Sequence, residues 1–222
     1  MDPQFWLEKW ENRQIGFHLD TVNPILERHW PVMEADQQRP VFVPLCGKSL
    51  DLIWLRRQDH SVIGAELSPL AVEQFFAENG LQPSSGEQDG IRFWEAAGIR
   101  IFEGDFFALT PGHLPATCAV YDRAALIAMP PERQPAYAAH LYKLSPTPIL
   151  LITLEYNPDE MAGPPFSTPG AQVERVFGQQ FRIERLESRD VLAENPALQA
   201  RGLTALWETA WYLTPKRTSI AS

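Results

Sequence analysis

The sequence predicts an α/β domain built on a doubly wound, mostly parallel sheet with helices on both faces. Short apolar strands and helical stretches alternate from Val41 to Tyr156, a pattern that implies parallel strands joined by right-handed crossovers. Two closing strands, Phe181 to Leu186 and Ala205 to Leu213, suggest an antiparallel edge. The 222 residues suffice for one large domain and are too few for two ordinary ones, so a single domain over 1–222 is expected.

Residues 1–39 read as a helical arm ahead of a 40–216 core. Trp6, Leu7 and Trp10 share one helical face, Gln14 to His18 form a loop, and Ile25, Leu26 and Trp30 resume the pattern after Asn23-Pro24. Val41-Phe42-Val43 is a short strand ended by Pro44, and Leu50 to Gln58 reads as a helix with Ser49 as its cap. Val62 to Glu66 is the next strand; Ser68-Pro69 and Asn79-Gly80 then bracket a helix from Leu70 to Glu78. Arg92 to Glu95 and Ile99 to Glu103 flank Ala96-Ala97-Gly98 as a hairpin. Beyond it come a buried strand (Thr117 to Tyr121), a helix (Pro131 to Leu144) and the most apolar strand (Pro148 to Tyr156). A loop from Gly163 to Gly170 precedes a helix over Val173 to Phe177, stopped by Gly178.

Composition excludes several classes of function. Net charge is −9 with a pI near 5.1, and no cluster of Lys and Arg is available to neutralise a duplex, which argues against a nucleic acid partner. No apolar run reaches the roughly 18 residues that a membrane span needs, and Met1 to Glu8 show neither a basic region nor an apolar signal core, so no membrane partner and a cytoplasmic location are expected. Cys46 and Cys118 lack zinc or disulfide spacing, so both are expected to be reduced and no metal is expected. Nothing demands a dimer, and a monomer acting on a small molecule is the expectation.

Ligands of doubly wound sheets bind outside the carboxyl ends of the strands, near the point where strand order reverses. Those ends carry Leu45 and Gly47, Glu66, Asp105 and Phe106, Asp122 and Arg123, and Tyr156 to Pro158. The set is rich in carboxylates and poor in phosphate binders. Glu66 lies 19 residues after Gly47, where an acidic side chain commonly accepts from both ribose hydroxyls. A pyrophosphate needs several closely approached amides, yet Pro44-Leu45-Cys46-Gly47-Lys48-Ser49 has one glycine where dinucleotide sites have three. A nucleoside bearing an amino-acid tail fits better, and S-adenosylmethionine is the commonest such cofactor. Asp105 would accept from the adenine amino group while Phe106 covers the ring.

Pro44-Leu45-Cys46-Gly47-Lys48, Gly64-Ala65-Glu66-Leu67-Ser68, Gly104-Asp105-Phe106-Phe107 and Tyr121-Asp122-Arg123-Ala124-Ala125-Leu126 occur in that order. Together with Trp6-Leu7-Glu8-Lys9-Trp10 and Gly16-Phe17-His18, they resemble the thiopurine S-methyltransferase family, its bacterial members most of all. The resemblance runs from about Phe5 to Lys216. It implies a Rossmann-like class I methyltransferase fold with a mostly parallel seven-stranded sheet, and methyl transfer from S-adenosylmethionine to the thiol sulfur of aromatic and heterocyclic thiols. It also implies cofactor contacts at Trp10, Leu45, Glu66, Asp105, Phe106 and Arg123. Bacterial relatives are associated with selenium and tellurium methylation and tellurite resistance.

Arg123 is the first candidate for catalysis, because a strand-end arginine steers an anionic sulfur without ever losing its charge. Trp10, Phe17 and His18 would close over the site as a lid that also contacts the acceptor, and Arg201 would be a second cation for substrate. Cys46 reads as a small buried side chain rather than a nucleophile. An amino-group methyltransferase acting on nucleic acid is a poor alternative, because Tyr156-Asn157-Pro158-Asp159 lacks the second proline and aromatic of such sites. A methyltransferase of another small acceptor, or a non-catalytic binding protein with this fold, are the remaining alternatives.

Overall fold

Side-chain alternation along a three-residue strand divides the interior in two. Val41 and Val43 point to one face of the sheet and Phe42 to the other, as the two-residue period of a strand requires. In the computed structural model, which describes residues 3–16, 18–33 and 39–216, the next strands repeat this division. Ala119 and Tyr121 join the first face and Val120 the second; Leu150 and Ile152 join the first, Ile149 and Leu151 the second. A sheet apolar on both faces has to be covered by helices on both.

The elements in chain order are α1 (Pro3–Glu11), α2 (Pro24–His29), β1 (Val41–Val43), α3 (Asp51–Arg57), β2 (Val62–Glu66), α4 (Pro69–Glu78), β3 (Ser84–Gln88), β4 (Ile91–Ala96) and β5 (Ile99–Glu103). They continue with β6 (Ala119–Asp122), α5 (Ala125–Ala128), α6 (Gln134–Leu144), β7 (Ile149–Glu155), α7 (Gly170–Phe177), β8 (Phe181–Asp190), α8 (Pro196–Ala200) and β9 (Trp207–Pro215). Helices α2, α3 and α4 cover the first face through Ile25, Leu26, Leu52, Leu55, Val72 and Phe75. On the second face α5, α6 and α7 bring Leu126, Tyr137, Leu141, Val173 and Phe177. Each such large apolar side chain contributes about 1.5–3 kcal/mol by leaving water.

Strand order is β3-β4-β5-β2-β1-β6-β7-β9-β8. The five strands β5, β2, β1, β6 and β7 run parallel, and the remaining neighbours pair antiparallel. The sheet is therefore mixed and has nine strands, not the expected seven. The extra two are β3 and β4. The hairpin around Ala97 and Gly98 forms, with φ of 51° and 80° at those residues, a pair of left-handed positions that suits a two-residue hairpin turn. Its second arm, β5, is itself a core strand beside β2, so the hairpin extends the sheet outward instead of standing apart from it.

Helix ends follow local chemistry with two corrections. Ser68 caps α4 by accepting from the Ala71 amide at 3.3 Å, and Gly80 leaves that helix with φ +65°. Leu50, not Ser49, is the residue that precedes α3, although Ser49 Oγ does accept from the Asp51 amide at 3.2 Å. Helix α6 begins at Gln134, because Pro130 and Pro131 lead through a turn first. No helix among the described residues is long and apolar enough to cross a membrane.

The first loop approaches β2 closely. A Cβ at Gly64 would come within 2.7 Å of Cys46 Sγ and 3.2 Å of Ile101 Cγ1. Gly64→Ala should therefore cost about 1–3 kcal/mol by overpacking, read as a lower midpoint in chemical denaturation. Adding Cys46→Ala in the same chain should recover part of that loss.

Candidate active site

Parallel strands present their carboxyl ends along one edge of the sheet, and strand order reverses between β1 and β6. The loop after β1 therefore faces the turn after β6 across a crevice, the position where such folds bind ligands. Leu45 and Gly47 in that loop have φ of +48° and +54°. This curl lets the Cys46 amide donate to the carbonyl of Ala65 at 2.9 Å. It also aims the Gly47 amide at Glu66.

Glu66 ends β2 and is 6% exposed. Oε2 accepts from the Gly47 amide at 2.8 Å and Oε1 from the Ser68 amide at 2.8 Å. A carboxylate has about four lone-pair sites, so each oxygen retains capacity for one more donor. Burial nonetheless pushes its pKa up, outweighing the amides of Ser68, Gly47 and Leu67 that favour the charged form. The Gly47 amide is already committed here. A phosphate would need that amide, whereas a vicinal diol needs only the two free acceptor positions of Glu66, so the residues present fit a ribose without a diphosphate.

Trp10, at the end of α1 and 4% exposed, lies on this loop: a Cβ at Gly47 would sit 3.2 Å from its Cζ2. The helical arm thus covers the crevice from above. His18 follows on the same arm, with its side chain 14% exposed and Nε2 3.6 Å from Asp20. Its pKa is lowered, first by burial and then by Lys48, with Arg123 adding to the effect and Asp20 and Glu78 opposing it. Lys48 is paired with Glu78 at 2.6 Å. His18, Lys48 and Arg123 thus share one electrostatic neighbourhood. Phe17 lies outside the described residues.

The turn after β6 is built on a buried carboxylate. Asp122 Oδ1 accepts from the amides of Ala125 and Leu126 at 3.1 and 3.2 Å, and Oδ2 from the Tyr137 hydroxyl at 2.7 Å. These bonds fold the chain around Arg123, so Asp122 is a brace for the turn. Complete burial still wins over the three donors and raises the Asp122 pKa to about 6.

The remaining candidates divide. Asp105 is exposed at the end of β5 and accepts from the Phe107 amide at 2.9 Å. Phe106, expected as a cover for an adenine ring, is 4% exposed and packed in the core, stacked on Phe42 at 6.3 Å and tilted against Tyr137 at 5.0 Å. Its neighbour Phe107 stays half-buried, near Arg133 and His140. One of two adjacent phenylalanines in a tight turn must point inward, and nothing in Phe106-Phe107 distinguishes them beforehand. Arg201 ends α8, exposed, with Nη1 3.4 Å from the carbonyl of Pro164 in the loop after β7. A cavity of about 510 Å³ opens near that loop, lined by Tyr156, Pro158, Ser167 and Gln172 among others. It lies three strands from Glu66 and, of the strand-end residues, contains only Tyr156 and Pro158. Cys46 is buried and its pKa is pushed well up by burial and by Glu66, which suits packing and not nucleophilic attack.

Because the folded chain holds the Asp122 proton more tightly than the unfolded one, its contribution to stability is full below about 3.8 and is lost as pH rises through about 6. Asp122→Asn keeps the amide acceptor and removes the titration. Over about pH 4 to 6 the unfolding free energy of the native chain should therefore fall relative to that of Asp122→Asn, as urea melts at stepped pH would show.

Comparison with known proteins identifies the fold and the family. A family model described as Thiopurine S-methyltransferase (TPMT) matches residues 1–216. The thiopurine S-methyltransferase of Methylococcus capsulatus is 50% identical over 216 residues, covering 96% of this chain and 97% of that protein. That of Pseudomonas paraeruginosa is 50% identical over 215 residues, covering 96% and 99%. Among solved structures, a SAM-dependent methyltransferase from Anabaena variabilis superposes with a TM-score of 0.64 at 15% identity, covering 96% of this chain and 95% of that one. The 1,6-didemethyltoxoflavin-N1-methyltransferase of Burkholderia thailandensis, bound to S-adenosylhomocysteine, gives 0.56 at 15% identity, covering 96% and 87%. At that identity the two structures speak for the fold. Sequence over nearly the full length carries the rest: the chain belongs to the thiopurine S-methyltransferase family.

Proposed function

We propose that this protein binds S-adenosylmethionine between the loop after β1 and the turn after β6, and methylates the sulfur of aromatic or heterocyclic thiols. The observation that carries the reading is the seating of Glu66, whose two oxygens each hold one amide and keep room for one hydroxyl. Family membership supports the choice of acceptor. When bound, S-adenosylmethionine supplies a methyl group on a positively charged sulfur, open to in-line displacement.

On this reading Glu66 holds the ribose, with Leu45 and Trp10 enclosing the rest of the crevice and Asp105 free to accept from the base. Heteroaryl thiols are largely or partly ionised near neutral pH, so strong general-base catalysis is not required. Orientation then dominates the rate, and can supply up to roughly 7–11 kcal/mol in ideal intramolecular cases. Arg123 supplies a permanent cation for the thiolate or a ring nitrogen. In a protein of net charge −9, such a local cation is what draws an anion to the site. His18, whose burial and whose neighbour Lys48 favour the neutral imidazole, and Phe17 complete the acceptor side, with Arg201 reaching it from the end of α8. Trp10 over Gly47 keeps water out, which strengthens these interactions. The same positioning serves selenium and tellurium nucleophiles, and a part in tellurite resistance would be the cellular form of that activity. The protein acts in the cytoplasm as a monomer on this view.

Glu66→Gln replaces one acceptor by an amide that faces a backbone N–H. It should weaken S-adenosylhomocysteine binding by ~10- to 100-fold in calorimetry, the range that ~1.5–3 kcal/mol of a charged hydrogen bond implies. Arg123→Ala should lower kcat/KM for a heteroaryl thiol by a similar ~10- to 100-fold. A native enzyme that methylates only oxygen or nitrogen acceptors would refute the proposal.

A further inference from the structure

Asp51 opens α3 directly behind the Pro44–Ser49 loop and is 2% exposed. Its partners come from two distant parts of the chain. Oδ1 accepts the backbone N–H of Asn23 at 2.8 Å, and Oδ2 accepts the Tyr121 hydroxyl at 2.9 Å. Its own amide donates to Ser49 Oγ at 3.2 Å. A single buried side chain therefore ties the crevice loop to the root of the helical arm and to β6.

Asn23 is the point where the arm rejoins the body. It is 2% exposed and caps α2 by accepting from the Ile25 amide at 2.8 Å, and beyond it Ile25, Leu26 and Trp30 are sunk in the core. Trp10 and His18 lie on the other side of this root, over the strand ends. Tyr121 stands immediately before Asp122 and Arg123, and the charges of both Asp51 and Arg123 act on its phenol.

We propose that Asp51 is a positioning residue that sets the arm relative to Arg123, and so shapes the acceptor side of the crevice more than the cofactor side. This rests on the reading above, in which the arm and Arg123 meet the acceptor. Packing alone does not account for Asp51, because an apolar side chain fills a buried site at lower cost than a carboxylate. What the carboxylate adds is a pair of acceptors at fixed angle, aimed at a backbone amide and a hydroxyl on separate elements. Neither donor has to move when the other is held, which gives the arm one registered position.

Two variants test this by different routes. Asp51→Asn keeps size and one acceptor oxygen, and Tyr121→Phe removes only the hydroxyl. Hydrogen exchange in the ligand-free protein should show amides between residues 9 and 23 exchanging about tenfold faster in both, with β2 and β6 unchanged. In steady state the KM of a heteroaryl thiol should rise about tenfold, while the Kd for S-adenosylhomocysteine stays within about twofold. Unchanged exchange in the arm overturns the proposal. So does exchange that rises equally in the sheet, since Asp51 would then be only a core group, and so does a cofactor affinity that falls as much as the acceptor KM rises. If the native enzyme proves inactive toward thiols, the reading of the acceptor fails by itself, and the exchange measurement alone decides the role of Asp51.

Discussion

The crevice depends on one charged hydrogen-bonding joint, the carboxylate of Glu66 held by the amides of Gly47 and Ser68. It locks the loop after β1 to the end of β2 and to the start of α4. The joint favours Gly47, since a side chain there would strain the left-handed backbone and press on the indole of Trp10, 3.2 Å from a Cβ. Beside it, the Cys46 sulfur packs closely over Gly64. The energetic balance is unfavourable in one respect: burial pushes the carboxyl toward its neutral form. In the proposed function a ribose adds two hydroxyl donors to the carboxylate and so favours its charged form.

The opposite wall of the crevice repeats the device. Strand alternation sends Tyr121 to one face of β6 and Asp122 to the other. Each meets a complementary partner, Asp51 for Tyr121 and Tyr137 for Asp122. Two buried carboxylate–tyrosine pairs on opposite faces thus hold the strand end that carries Arg123. In the proposed function, a turn braced this way lets Arg123 meet an anionic acceptor with little reordering, the preorganisation on which electrostatic stabilisation relies. The arm completes the enclosure from above. It is secured at its far end by Arg28 and His29, which both bond to Glu187 of β8 at 2.9 and 2.6 Å.

Much of this was legible before any coordinates. Val62 to Glu66 and the Ser68-Pro69 start of α4 were readable residue by residue, because apolar runs and capping residues act locally. Strand β3 was not readable. Ser84-Ser85-Gly86-Glu87-Gln88 is a polar edge strand with nothing buried on either face, so it leaves no hydrophobic period, and it is held by pairing with β4 and by bonds of Gln88 to Gly112, Arg100 and His113. Helix α5 is four residues long and wholly buried, too short for a helical period to register.

By itself, the sequence determined the doubly wound class and a cofactor with a ribose but no diphosphate. Local rules are enough for that, since periodicity, caps and a missing set of glycines are all read within a few residues. Only the tertiary structure decided which side chains meet. It turned Phe106 inward and left Phe107 at the edge, assigned Asp122 to brace the turn of Arg123, and brought Asp51 to partners 28 and 70 residues away. Such pairings depend on how the strands cross over one another in the sheet, and the chain records them only as polar residues with no visible partner.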